Sequence, residues 1–397
     1  MIKSFLFQAA IHGILPRVSA AALLSGMILL LPASGQAEDV AEDWPMYRAN
    51  PSLTGAVKGH LVDEPALLWT FETKGNIQSS PAIVDGVVYV GSMDGSFYAL
   101  NLSDGSLKWR FRAADEIKSS ALVHEGRLFF GDESGFFYAL DARLGTLVWR
   151  YKTGGSIVSS ANLANGRIYF GSYDYVLYCI DPSDGNLFWQ AETDGYVHAT
   201  PVLVNNKVII AGCDGMVRQY DADDGKPLEQ MELGGYVASS PATDGSHIYL
   251  GTFQNQVVKL NATTLVDVWR YEHPERQFVF YGSPALVGDR VIIGGRDKLI
   301  HGIDRATGKG IWTYPVRAKI DASPAVIGEK VVLGDMSGRL FVLDSATGTR
   351  IWVYDTGSAI AGSPAYSRGR VVVGLENGLL LCFGESTEND VEAKEAL

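Results

Sequence analysis

Hydrophobic and polar positions along this chain fall into short runs that recur with a fixed period. Runs such as Val87-Val88-Tyr89-Val90 and Arg127-Leu128-Phe129-Phe130 are β-branched or aromatic. A glycine closes each one, at Gly91, Gly131, Gly171, Gly251, Gly294, Gly334 and Gly374, with Ala211 as the exception. Strand formers in runs of this length, bounded by turn residues, predict β-strands. A turn precedes each run, as at Asp85-Gly86, Glu125-Gly126 or Asn165-Gly166. A second follows at Asp94-Gly95, Ser134-Gly135 or Asp214-Gly215, and a third at Asp104-Gly105, Asp184-Gly185 or Asp224-Gly225. Tight hairpins need positive φ, which glycine reaches without a Cβ clash. Three turns therefore separate four strands in each unit.

The tryptophans set the period. Trp69, Trp109, Trp149 and Trp189 stand 40 residues apart; the same step reaches Glu229 and Trp269, and Trp312 and Trp352 follow after 43 and 40. About ten residues beyond each comes a small-Ser-Pro step, such as Ser79-Ser80-Pro81, Ser239-Ser240-Pro241 or Gly362-Ser363-Pro364. Eight four-stranded antiparallel units at this period predict an all-β, eight-bladed propeller. A β-solenoid, with shorter coils and parallel pairing, fits less well. The strand Leu67-Leu68-Trp69-Thr70-Phe71 precedes the first small-Ser-Pro step, and the last unit stops at Phe383 before a Trp strand of its own. Pairing the two would close the ring and remove two open sheet edges. Each tryptophan shares a strand face with the residue two further on, so Trp69, Trp109, Trp149, Trp189, Trp269, Trp312 and Trp352 are expected to dock structurally between blades.

The ends of the chain differ from this array. Lys3 and Arg17, the apolar stretch Val18 to Leu31, Pro32 and the small residues at Gly35 and Ala37 have the order of an export signal cleaved near Ala37. That stretch is 14 residues long, short of the roughly 20 needed to span a bilayer. No cysteine follows it to carry a lipid. The expected organisation is a signal peptide at 1–37, a leader segment at 38–68, the propeller at 69–384 and an acidic, disordered tail at 385–397. The product is expected to be soluble and periplasmic or otherwise exported.

Composition narrows function mainly by exclusion. The net charge of -12, without a basic block, argues against nucleic-acid binding. Three cysteines without a CxxC spacing, and no HxxxH, offer neither a zinc site nor a disulfide framework. Asp221-Ala222-Asp223-Asp224-Gly225 begins like a calcium loop, but Gly225 and Lys226 occupy positions that need a ligand and a glycine. It reads as the third turn of its blade.

The runs Ala99 to Trp109, Ala139 to Trp149 and Gly302 to Trp312 resemble the tryptophan-docking motif of pyrroloquinoline quinone (PQQ) repeats, and the resemblance extends over residues 69–384. Asp43-Trp44-Pro45-Met46-Tyr47-Arg48 through Gly55 resembles the leader found before such propellers. The family implies the same eight-bladed fold. One branch, the quinoprotein dehydrogenases, uses PQQ and calcium with a vicinal cysteine pair, a tryptophan against the quinone, and Glu, Asn and Asp at the metal and as base. Here no cysteines are adjacent, Cys179 and Cys382 take the docking position of Ala99 and Ala139, and Trp44 is the one tryptophan outside the repeat. The other branch resembles the BamB-type outer-membrane assembly propellers, which are non-catalytic and similarly compact. The resemblance thus implies an exported protein-binding scaffold with an envelope protein partner, no catalytic residues, and no cofactor or metal. The alternatives are a reduced PQQ- and calcium-dependent alcohol or sugar dehydrogenase, and a small-ligand or glycan binder.

Two groups of residues are candidates for contact. The residue before each small-Ser-Pro step should face the channel mouth, which selects Gln78, Lys118, His198, Tyr281 and Asp321 among the polar positions, with Val158, Ala238 and Ala361 between them. The apolar residues just before these, Ile77, Ile117, Ile157 and their equivalents, are expected to point inward. The connection from Trp269 to Gly282 is three residues longer than elsewhere, and its Arg276 and Phe278 have no core assignment in the repeat. They have the composition of a partner-binding loop.

Overall fold

In a computed structural model of the chain, residues 43–386 are described. The signal-peptide expectation and nearly all of the acidic tail lie outside the described residues. The described chain folds into eight sheets, each with four antiparallel strands, and one of them gains a fifth, parallel strand. Blade 1 comprises Ala82–Val84, Val87–Gly91, Ser96–Asn101 and Leu107–Arg112, running from the channel to the rim. The second and third strands are buried on both faces, as in Arg127–Gly131 and Phe136–Asp141, so their sequences are almost continuously apolar. The outermost strands, such as Leu147–Lys152, alternate exposed and half-buried positions. No described helix is long and apolar enough to cross a membrane.

The ring closes as the sequence predicts. Ala66–Glu72 pairs antiparallel with Leu379–Gly384 and becomes the outer strand of the eighth blade. This outer strand is seven residues long and carries Trp69 at its centre.

Three repeated contacts join the blades. Each indole docks on the next blade: Trp69 Nε1 donates to the Leu102 carbonyl at 2.8 Å, Trp109 to Ala142 at 3.0 Å and Trp189 to Ala222 at 3.0 Å. A glycine lies flat under the ring, and a Cβ on Gly105 would sit 2.7 Å from the indole of Trp69. Burying one such ring contributes roughly 4–6 kcal/mol gross. At the position of Glu229, which has no indole, Gln219 Nε2 from the same blade donates to the equivalent carbonyl of Ala262 at 2.7 Å. The second contact explains the glycines that close the apolar runs. A Cβ on Gly131 would come within 2.2 Å of Ile157, and one on Gly374 within 2.2 Å of Ile77. The isoleucines before the mouth residues therefore pack into the blade interfaces.

The third contact is a belt of hydrogen bonds round the channel, built from the Ser or Thr at the middle of each small-Ser-Pro step or its variants. Ser80 N–H donates to Ser120 Oγ at 2.9 Å, Ser120 to Ser160 at 3.0 Å, Thr200 to Ser240 at 2.8 Å and Ser240 to Ser283 at 2.9 Å. Ser283 then donates to Ser323 at 2.8 Å, Ser323 to Ser363 at 3.0 Å, and Ser363 back to Ser80 at 3.0 Å. Between blades 3 and 4, Ser159 Oγ instead donates to the Ala199 carbonyl at 3.0 Å.

The leader is part of the ring's interior. Innermost strands present free backbone edges to the channel, and buried N–H groups require acceptors. The carbonyls of Trp44, Pro45, Ser52, Thr54 and Gly55 accept from Ile83, Val123, Thr243, Leu286 and Val326, on the inner strands of blades 1, 2, 5, 6 and 7. Ala56–Val57 adds a parallel strand to Ala325–Ile327. Trp44 and Arg48 are each 1% exposed. Arg48 donates to the carbonyls of Pro284 (2.7 Å) and Pro324, and burial pulls its pKa down to about 10. Arg48, Ala49 and Leu53 take positive φ as the segment turns within the channel.

Candidate functional site

The small-Ser-Pro step fixes where each inner strand starts, so the residue before it lies at the channel mouth. All five polar candidates, Gln78, Lys118, His198, Tyr281 and Asp321, line one cup of about 440 Å³. Val158, Ala238 and Ala361 complete their circle. The floor is the Ser/Thr belt together with Tyr47 of the leader, whose hydroxyl lies 3.1 Å from Ser283 Oγ and 3.0 Å from Ser323 Oγ.

A second tier forms the upper wall and was missed in the sequence. Glu133, Tyr173, Arg296, Met336 and Glu376 line the cup from the loop between the second and third strands. Each stands two residues after a run-closing glycine, a position whose chemistry varies from blade to blade while its neighbours repeat. That variability was the legible signal.

The two tiers neutralise one another. Lys118 Nζ lies 2.9 Å from Glu133, and Arg296 Nε donates to Asp321 at 2.6 Å, with Lys319 3.1 Å away on the same carboxylate. Gln78 Nε2 donates to Glu376 at 3.3 Å. Tyr173 and His198 Nδ1 are 2.7 Å apart. Burial lowers the His198 pKa against the opposing pull of Glu133, and burial raises that of Tyr173. The phenol therefore stays protonated beside a neutral imidazole.

Aromatic rings cover the sector over blades 3 to 6. Tyr173 stacks on Tyr196 at 4.5 Å, Tyr175 lies 5.1 Å from Tyr196, and His198 lies 6.2 Å from Tyr281. Phe253 links Tyr281 at 6.2 Å to Tyr236 at 6.4 Å, while the Arg296 guanidinium lies over Tyr281 at 4.5 Å. Tyr175, Tyr196, Tyr236 and Phe278 are exposed by 44%, 43%, 64% and 54%. The long connection lies on this same face, because Arg276 donates to the Asp297 carbonyl at 3.0 Å, next to Arg296. Its Phe278 stays in solvent.

Two of the three cysteines stand apart from the cup, whereas Cys213 lies beside Tyr173 and Tyr281. Cys179 and Cys382 are buried opposite docking tryptophans, and burial pushes both thiols up to about 12. Among the described residues, no three His, Cys, Asp or Glu side chains converge as a metal-ligand set.

The family profile described as "Outer membrane protein assembly factor BamB" matches residues 57–164, 155–230, 219–319 and 296–387. The chain belongs to that family. Among solved structures, BamB from Moraxella catarrhalis is similar with a TM-score of 0.70 and 19% identity, over 81% of this chain and 100% of that one. The quinohemoprotein alcohol dehydrogenase of Comamonas testosteroni is similar at 0.75 and 13% identity, over 87% and 81%. The computationally designed Ika8 protein is similar at 0.71 and 16%, over 80% and 99%. At these identities the likeness shows the fold alone, and BamB shares that fold with a dehydrogenase and a designed protein. No curated protein sequence gives a match.

Proposed function

We propose that this BamB-like chain is an exported, non-catalytic scaffold that docks an envelope protein on its mouth face. The observation that carries the reading is the crest of exposed aromatics, Tyr175, Tyr196, Tyr236 and Phe278, gathered on one sector of one face. Rigidly held aromatic side chains beside an arginine are the composition of interface hot spots. The ring supplies the rigidity, and the family supplies the envelope setting.

The quinone-dependent reading finds little support in the donor set. PQQ carries three carboxylates, whereas Lys118 and Arg296, the cations lining the cup, already face Glu133 and Asp321. The residues present do not fit that cofactor, and no step through it is derived. Glycan binding would engage the cup and its aromatic wall without a protein partner.

The test is capture from envelope extracts with the full mature chain as bait. Tyr236→Ser combined with Phe278→Ala, and separately Arg276→Glu, should lose the protein captured by wild type, with stability changed by less than about 1 kcal/mol. Undiminished capture by both variants removes the crest as the docking surface. Dye reduction on addition of PQQ, calcium and an alcohol or sugar would overturn the scaffold reading.

A further inference from the structure

The repeat provides an internal template for every blade interface, and one interface departs from it. Two residues after each tryptophan, an outer-strand side chain meets a third-strand side chain of the next blade. Phe71 meets Tyr98 at 5.4 Å, Phe111 meets Tyr138 at 5.6 Å, Tyr151 meets Tyr178 at 5.7 Å and Tyr314 meets Phe341 at 5.9 Å, all edge to face. Tyr271 meets His301 in the same way at 5.8 Å. Elsewhere Met231 and Val258, or Tyr354 and Leu381, fill the slot within apolar clusters. Between blades 3 and 4 the pair is Ala191 and Arg218. A methyl group stands where the template has a ring, and a cleft of about 400 Å³ opens there.

The walls of this cleft say what it would accept. Arg218 is 7% exposed and held in place, with Nη1 2.5 Å from Asp214 and Nη2 2.8 Å from Asp194. Its guanidinium is thus spent on two carboxylates, and it lines the cleft where an incoming ring could stack on it. This chain uses such stacking at Arg296 over Tyr281 and Arg110 over Tyr98. Leu228 adds apolar surface, exposed by 46%. Glu192 and Glu229 also line the cleft, and neither belongs to an ion pair among the described residues. The cleft therefore combines a ring-sized void, a fixed guanidinium face and an unneutralised acidic border.

We propose that the cleft between blades 3 and 4 receives an aromatic side chain, flanked by lysine or arginine, from an extended segment of a partner protein. The inserted ring would restore the packing that the template shows at the other interfaces, and its basic neighbours would pair with Glu192 and Glu229. The inference rests on the reading of this chain as a protein-docking scaffold, and adds a second contact on the side of the ring.

The probe is the synthetic peptide acetyl-Gly-Lys-Tyr-Lys-Gly-amide, titrated against the full mature chain by NMR. Saturable binding is expected, weakened about tenfold when the peptide's tyrosine becomes alanine or its lysines become glutamate. Ala191→Tyr rebuilds the template, and should raise the melting temperature and abolish peptide binding. Ala191→Leu, a smaller filling, should weaken binding while leaving the fold intact. Absence of binding to wild type, equal binding by the alanine peptide, or undiminished binding by both filled variants overturns the proposal. Capture through Tyr236 and Phe278 does not use the cleft, so a failed titration alongside intact capture separates this inference from the scaffold reading.

Discussion

Leu265 occupies, opposite Glu229, the position that glycine holds opposite the docked tryptophans at Gly105, Gly145, Gly185, Gly225, Gly308 and Gly348. It is 2% exposed and adopts φ 55°, a conformation that costs a branched side chain free energy. The two departures from the repeat compensate each other. Without an indole the floor of the slot can carry a side chain, and with one it cannot. Glu229→Trp alone should therefore destabilise, and Leu265→Gly alone should cost about 2–5 kcal/mol by opening a cavity. The double substitution should be markedly more stable than the sum of the singles, with a coupling above about 1 kcal/mol in urea melts. Additive effects would break the assignment.

Where the indole is present it should matter as much as its burial suggests. Trp149 and Trp312 donate to Pro182 and Ser345, both at 3.2 Å. Replacing either with alanine should cost about 3–5 kcal/mol without altering capture at the mouth. An unchanged unfolding midpoint would remove them from the docking role.

Fold and site were legible to different degrees, for physical reasons. Blade number and ring closure followed from the period, because every blade solves the same packing problem with the same residues. The lower tier of the cup followed from one offset to the small-Ser-Pro step. Glu133, Arg296 and Glu376 did not, because strand reasoning treats loop residues as punctuation. The leader was recognised as a segment, yet its path was hidden. Trp44, Met46 and Leu53 signalled burial, but nothing local says that their backbone completes edges contributed by blades as distant as Val326. Phe278 was open between partner loop and core, and its exposure settles only where it lies.

The leader's role can be read amide by amide. Ile83, Val123, Thr243, Leu286 and Val326 donate to leader carbonyls at 2.8–2.9 Å. Deleting residues 43–57 should accelerate hydrogen exchange at these five positions and lower the melting temperature. The belt amides of Ser283 and Ser323, bonded between blades, should keep more of their protection. Exchange rates that do not respond would mean the channel edges find other acceptors, and the leader would not be structural.

His198 gives the cup a pH dependence whose sign can be worked out. Burial lowers its pKa from 6.5, Glu133 opposes this, and Tyr173 holds the neutral ring at 2.7 Å. Between the lowered folded value and 6.5, the unfolded chain binds more protons than the folded one, so stability rises with pH across that window. The contribution is fully present above pH 6.5 and is lost progressively as the pH falls towards the folded value. The turn carboxylates act elsewhere. The hydroxyls of Ser106, Ser183 and Thr307 hold Asp104, Asp181 and Asp304 below 3.8, so their share is present above that value and is lost only in stronger acid. His198→Gln keeps a hydrogen-bonding group and removes the titration. Wild type minus variant, followed as melting temperature against pH, should be flat above 6.5 and fall below it, with no further feature near pH 4. A difference curve that rises on acidification would mean that His198 is stabilised in its charged form, and the neutral Tyr173–His198 pair would have to be abandoned.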